Sequence, residues 1–226
     1  MTIRALFLLP LAAGLLLAGA EATAQPKAGK TKGEKKAAMI ESPLGIIDIE
    51  LFTTDAPKTT ENFMKLAERK YFNGVIFHRV AKGFVIQGGD PTGTGSGGKS
   101  AWGGRFADEL NPSAASYKDG YKRGVVAMAN AGPNTNTSQF FIMLDDNPRM
   151  PKNYTIFGKV VGGMEVVDSI GRAEITPQMG PTDGRPVHDF VMKTVSVVKP
   201  AAAGALPHAR IDVVERVPAP PAAGEQ

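Results

Sequence analysis

The stretch Phe77-His78-Arg79-Val80-Ala81-Lys82-Gly83-Phe84-Val85-Ile86-Gln87-Gly88-Gly89-Asp90 decides the fold. Apolar and polar residues roughly alternate on both sides of Lys82-Gly83, the pattern of two strands joined by a short glycine-containing turn. Residues two apart on a strand share a face. Phe77 is therefore expected beside Arg79, and Val85 beside Gln87. Taken alone, the stretch reads as an ordinary hairpin with Arg79 at its solvated end.

Working outward, Ala37 to Glu41 and Ile46 to Leu51 read as strands on either side of a turn at Pro43 and Gly45. Pro57 opens a helix, where its missing N–H does no harm. Phe63, Leu66 and Ala67 lie on one face of it, with Lys58, Glu61, Lys65 and Glu68 toward the other. Glu61 and Lys65 form a favourable i,i+4 pair. Downstream of the hairpin, Gly88 to Gly104 is a glycine-rich loop. Within it Gly93-Thr94-Gly95-Ser96-Gly97-Gly98-Lys99-Ser100 matches the phosphate-binding pattern G-x-x-x-x-G-K-[ST]. That pattern works only when a helix follows the Ser at once. Ala101-Trp102-Gly103-Gly104 follows instead, so the match is accidental. Further strands are expected at Gly124 to Ala129, Ser138 to Leu144, Thr155 to Val160 and Phe190 to Val198, with a helix from Gly163 to Ile170. About eight short strands and two helices between 37 and 199, with glycine-rich loops, favour a mainly β, closed barrel.

The 226 residues divide into four segments. Residues 1–24 have the form of a signal peptide: Arg4, an apolar run from Ala5 to Ala20, and Ala22-Thr23-Ala24 as a cleavage signature that would leave Gln25 first. The apolar run is short for a membrane span, so a periplasmic or secreted protein without stable membrane insertion is expected. Residues 25–36 form a lysine-rich arm too polar to order itself. Residues 37–199 are the domain, and 200–226 an Ala/Pro-rich tail expected to be disordered. Cysteine is absent, which excludes disulfides, thiolate metal sites and a Cys nucleophile. The net charge of +4 resides largely in the arm. Without a basic, aromatic-interleaved stripe in the domain, nucleic-acid binding is not expected.

Several of these blocks together carry a resemblance. Phe77-His78-Arg79-Val80 with Gly83 to Asp90, Met128 to Asn136, Ser138-Gln139-Phe140-Phe141-Ile142, the loop Thr94 to Gly103, and Phe157-Gly158-Lys159-Val160 resemble the cyclophilin signature, in the family's order. The resemblance covers roughly 37–199. It implies an eight-stranded antiparallel barrel capped by two helices and a monomeric peptidyl-prolyl cis–trans isomerase with neither metal nor cofactor. It implies that Arg79 is catalytic and that Phe84, Val85, Phe141 and Met150 line a proline pocket. Gln87, Ala129, Asn130 and Gln139 would contact a Pro-containing polypeptide. Tyr154 falls where many eukaryotic members have His, and Arg149 where many have Trp. Both departures resemble the bacterial secreted or periplasmic branch. The Arg149 departure implies weakened affinity for cyclosporin-like ligands.

The residue types suit that chemistry. Rotation about an X-Pro bond makes and breaks no bond, so neither nucleophile nor base is needed. What is needed is stabilisation of a twisted amide whose nitrogen has regained its lone pair. An arginine stays charged and offers several fixed donors. Arg79 can donate toward the prolyl nitrogen or hold the preceding carbonyl. The plainer alternatives are that Phe141 and Val85 are core and that Gln87 satisfies a loop amide. His78 is expected opposite Arg79 and structural, and Trp102 is a loop anchor. Ser138 lacks His and Asp partners for a hydrolase. A module that binds Pro-containing peptides as a chaperone, without turnover, is the second function class.

Overall fold

The computed structural model describes residues 36–42 and 44–198. The expected signal peptide, most of the lysine-rich arm and the tail lie outside the described residues. β1 (Lys36–Ser42) and β2 (Gly45–Leu51) pair as an antiparallel hairpin. α1 (Pro57–Glu68) starts at the proline, as expected. It buries Phe63, Leu66 and Ala67 and pairs Lys65 with Glu61 at 2.7 Å. Its N-cap position is Ala56, which has no capping side chain. Glu109 supplies the cap from a distant loop by accepting from the Lys58 and Thr59 amides at 3.0 and 2.7 Å.

The central hairpin is β3 (Phe77–Ala81) and β4 (Val85–Gly88). There follow the short helix α2 (Ala115–Asp119), β5 (Val125–Met128), β6 (Phe140–Met143), β7 (Ile156–Gly162) and α3 (Met164–Gly171). β8 (Ile175–Pro177), β9 (Asp183–Pro186) and β10 (Thr194–Val198) complete the domain. No helix follows Ser100, so the phosphate-loop match is indeed accidental.

The number and extent of the elements differ from expectation. The strands number ten rather than eight among the described residues, in one sheet of order β10-β1-β2-β7-β5-β6-β4-β3-β9-β8. That ladder runs from β10 to β8, and among the described residues no hydrogen-bonded ladder joins those two strands to close the expected barrel. Every ladder in it is antiparallel. The strand expected from Phe190 begins only at Thr194; Phe190 to Met192 instead meets the residues before β3, through the bridge Ile76–Val191 and the bond from the Phe77 amide to the Phe190 carbonyl. Among the described residues there are also three helices where two were expected, α2 being only five residues long.

One face of the sheet wraps the main core. Directly opposed residues on paired strands share a face, and Val80, Ile86, Ile142 and Val126 form such a row across β3, β4, β6 and β5. All four are fully buried in the main core, with Phe63, Phe72, Phe140 and Phe157. α3 closes over this core through Val166, Val167 and Ile170. Its N-cap, Gly163, has φ +78°, and a Cβ there would lie 1.9 Å from the Ile46 carbonyl oxygen, so only glycine lets helix and β2 approach this closely.

Candidate active site

The site occupies the other face of the same strands. The row between the core rows runs Arg79, Gln87, Phe141, Ala127 across β3, β4, β6 and β5. Two residues along lies Ala81, Val85, Met143. Ala81, Val85, Ala127, Phe141 and Met143 belong to a second buried apolar cluster with Tyr121, Val125 and Ile156; Phe52, Phe84, Ala129, Met150 and Tyr154 pack against it half-buried. Sheet register thus carries one cation and one amide onto the edge of an apolar floor.

Simple alternation fails at one point. The register shifts between Phe77 and Arg79, so that Phe77 opposes Gly88 and Arg79 opposes Gln87. One extra residue in a strand is a β-bulge, which re-aims the side chains around it. Phe77 and Val80 are both core residues with two residues between them instead of one. The expectation that Phe77 and Arg79 share a face is therefore corrected. The expected pairing of Val85 with Gln87 agrees with the register.

The polar side chains form one continuous row. Arg79 donates from Nε to Asp183 Oδ1 at 2.8 Å and from Nη2 to Asp183 Oδ2 at 2.6 Å. Its Nη1 donates to Gln87 Oε1 at 2.9 Å. Gln87 Nε2 donates to Gln139 Oε1 at 3.0 Å. Gln139 Nε2 donates to the Gly95 and Gly97 carbonyls at 2.9 and 2.8 Å. The same two glycines donate their amides to Asp90 Oδ2 at 2.8 and 3.0 Å. Asp90 is fully buried. Its burial alone would raise its pKa, but the bonds from Thr92, Gly97 and Gly95 outweigh that and hold it below the ordinary carboxylate value.

A cavity of about 400 Å³ lies beside this row, lined by Gly95 to Gly98, Arg105, Ala129 to Ala131 and Gln139 among others. Asn130 belongs to its wall and donates from Nδ2 to the Asn153 carbonyl at 3.0 Å, which ties it to the loop carrying Met150 and Tyr154. Under that loop lies Tyr121. Its hydroxyl donates to the Tyr154 carbonyl at 2.9 Å and accepts from the Tyr154 amide at 3.0 Å. Burial pushes this phenol up to about 12. The Tyr154 ring stands edge-on to Phe141 at 5.6 Å between centroids. His78 is 5% exposed beneath the glycine-rich loop. Burial lowers its pKa; Asp90 opposes this, while Arg185 and Arg79 reinforce it.

The structure therefore brings together all ten residues singled out from the sequence: Arg79, Gln87, Asn130 and Gln139 on the polar side, and Phe84, Val85, Ala129, Phe141, Met150 and Tyr154 on or against the apolar floor. Sequence reading missed Asp183, Tyr121 and Asp90. No spacing rule points from Arg79 to an acid 104 residues away. Only Asp90, at the end of the hairpin stretch and before a run of glycines, carried a local signal.

Residues 37–197 match the family described as cyclophilin type peptidyl-prolyl cis-trans isomerase/CLD. The chain belongs to this family. The human peptidyl-prolyl cis-trans isomerase-like 3 is 44% identical over 158 residues, 70% of this chain and 93% of the human protein. The Cryptococcus neoformans peptidyl-prolyl cis-trans isomerase-like 2 is 43% identical over 180 residues. This cyclophilin-type chain is matched there over 79% of its own length but spans only 30% of that relative. A crystal structure of a Cryptosporidium parvum cyclophilin type peptidyl-prolyl cis-trans isomerase, in the presence of the dipeptide Ala-Pro, superposes with a TM-score of 0.65 at 36% identity. It covers 73% of this chain and 99% of its own. The cyclophilin site described above lies wholly within the matched residues.

Proposed function

We propose that this cyclophilin-type chain catalyses cis–trans isomerisation of X-Pro peptide bonds. One observation carries the reading: sheet register sets Arg79 and Phe141 on the same face, on either side of Gln87. Strands lie roughly 4.8 Å apart, so the cation and the apolar floor are about 10 Å apart at the backbone, a separation a short peptide bridges. The pyrrolidine ring rests on Phe141, with Met150 and Phe84 at its sides. Gln87 and the Asn130 segment hold the peptide backbone, and Arg79 donates to the amide as it twists. The residues before X-Pro extend over the cavity beside Gln139. Amide resonance sets a barrier of about 18–20 kcal/mol. A fixed donor aimed at the twisted amide lowers it without proton transfer, by electrostatic preorganisation.

The finer parts of the proposal rest on residues alone. Arg149 and Tyr154, and a leader of signal-peptide form, support a place among exported bacterial cyclophilins that assist folding of exported proteins. Mass spectrometry of the exported protein tests this: a mature chain starting at Gln25 supports it, and an intact Met1 in the cytosol overturns it.

The activity is tested by following isomerisation of a short X-Pro peptide with the wild type, Arg79→Ala and Arg79→Lys. A wild-type rate well above background, lost in Arg79→Ala and reduced but still measurable in Arg79→Lys, supports the proposal. Equal rates in all three would remove Arg79 from the mechanism. Peptide binding with no rate acceleration would instead favour a chaperone-like binding module. Arg79→Lys is needed because Arg79→Ala also leaves a half-buried carboxylate unpaired.

A further inference from the structure

The arginine at the centre of the site does not hold its own position. Three of its five N–H donors are directed at protein acceptors, two of them at the carboxylate of Asp183. Such fork-to-fork pairing fixes the plane of a guanidinium as well as its place. An unpaired arginine carries about 2 kcal/mol of rotamer entropy, which would be lost anew on engaging each substrate. The side chains are only 25% and 18% exposed, so water competes weakly for the pair.

The carboxylate is itself anchored by backbone. Asp183 opposes Ala81 in the β3–β9 ladder, and the Lys82 amide donates to the Thr182 carbonyl at 2.8 Å. The Asp183 carbonyl accepts from the Gln178 and Met179 amides at 2.9 and 3.0 Å. Next to it Gly184 packs against β8 so closely that a Cβ would fall 2.0 Å from the Thr176 carbonyl oxygen. The hairpin β8–β9 is thus a short rigid arm whose terminal side chain reaches the arginine. The cation of the hairpin, Arg185, donates to the Gly93 carbonyl at 3.2 Å, so the same strand also holds the start of the glycine-rich loop.

We propose that Asp183 is a positioning residue: it sets the plane of the Arg79 guanidinium before substrate arrives and leaves one N–H on each of Nη1 and Nη2 for the rotating amide. The proposal rests on the isomerase reading for its kinetic arm only.

The test combines rates with a direct view of the arginine. Asp183→Asn keeps the shape but loses one acceptor and the charge. A misplaced donor weakens the transition state more than the ground state, so kcat should fall about ten-fold with KM changed less than about two-fold. The Arg79 Nε–H resonance should lose its downfield position and its protection from solvent exchange. Unchanged kcat with an unchanged resonance overturns the proposal. Should Asp183→Asn also lower the thermal midpoint, the same substitution in the Arg79→Lys background decides. Lysine cannot make the bidentate pair, so a cost in kcat that vanishes there supports positioning, and one that persists in full overturns it. Should the wild type itself show no catalysis, the activity reading fails separately. The Nε–H resonance still decides, its persistence in Asp183→Asn overturning the proposal and its loss supporting it.

Discussion

Replacing Asp90 with Asn should loosen the glycine-rich loop and, through it, the site. Oδ1 of Asp90 accepts from the Thr92 amide and hydroxyl at 2.8 Å each, and Oδ2 from the Gly95 and Gly97 amides. An asparagine has one acceptor oxygen. Its best orientation keeps that oxygen on the two glycine amides and turns its NH2 against the Thr92 amide, donor facing donor. One charge-assisted bond, from the Thr92 amide, is lost and three become neutral, the Thr92 hydroxyl turning to the remaining oxygen 2.9 Å away. With charged bonds contributing about 1.5–3 kcal/mol and neutral ones about 1, the loss is about 3 kcal/mol. Urea denaturation of wild type and variant reads the global part. Hydrogen exchange at the Gly95 and Gly97 amides reads the local part, because the loop can open before the domain unfolds. The pH dependence has a definite sign. Asp90 is held below the ordinary carboxylate value, so its stabilisation is present above about pH 4 and is lost as pH falls through the lower folded value. The gap between wild type and variant should narrow below pH 4. A variant within 0.5 kcal/mol of wild type by about the precision of such measurements, with both amides still protected, would refute the argument.

Three other outcomes follow from the same geometry. His78 is buried with its pKa lowered, first by burial. The unfolded chain takes up the proton first, so stability should fall as pH drops below about 6.5, by at most about 1.4 kcal/mol per pH unit, until the folded value is reached. His78→Asn should flatten that part of the urea-midpoint profile between pH 7 and 5, and an unchanged slope would contradict it. Gly163→Ala places a Cβ 1.9 Å from the Ile46 carbonyl oxygen at φ +78°. It should cost about 3 kcal/mol or more in urea denaturation, and a cost under about 1 kcal/mol would show that helix and strand separate cheaply. Arg149 is exposed on the loop before Met150. Arg149→Trp should tighten inhibition by cyclosporin about ten-fold by supplying an aromatic anchor, and tight inhibition of the wild type would remove the premise.

How much of this was legible in the sequence differs from residue to residue. The hairpin, the α1 face and the strands β5 to β7 follow local periodicity, which reports burial directly. The candidate site residues came from the resemblance of their blocks to the cyclophilin signature, not from spacing, since Phe141 and Met150 lie far downstream of Arg79. The aim of Arg79 was not legible, because one extra residue at the bulge inverts the alternation on which such reading depends. β8 and β9 have the sequences Ile175-Thr176-Pro177 and Asp183-Gly184-Arg185-Pro186. Glycine and proline in strands this short read as turn. Their pairing is tertiary, held by β3, and Asp183 was hidden with them. Tyr121 had no local signal at all; its part is fixed by the backbone of Tyr154, 33 residues on.

The direction of the polar row is fixed from its charged end. A guanidinium can only donate. Gln87 must therefore present Oε1 to Arg79, which turns its Nε2 toward Gln139. Gln139 must then accept with Oε1, which turns its Nε2 onto the loop carbonyls. Neither amide has a second orientation that satisfies both neighbours. The loop closes the sequence from the other side: its carbonyls receive Gln139 and its amides are received by Asp90. The row thus runs from one carboxylate, Asp183, to another, Asp90, with a single cation between its amides and the first. Burial lowers the pKa of His78 beneath the loop, and Arg185 and Arg79 lower it further against the pull of Asp90. The amides between the ends neither gain nor lose protons. For a reaction that moves no proton, such a row does one thing: it converts the position of β9 and of the glycine-rich loop into the position of a donor. A shift of β9 should reach Arg79 directly through Asp183, and a shift of the loop through Gln139 and Gln87, two side chains that have no alternative arrangement, which makes Asp183 and Asp90, rather than the residues lining the pocket, the places where the site is set.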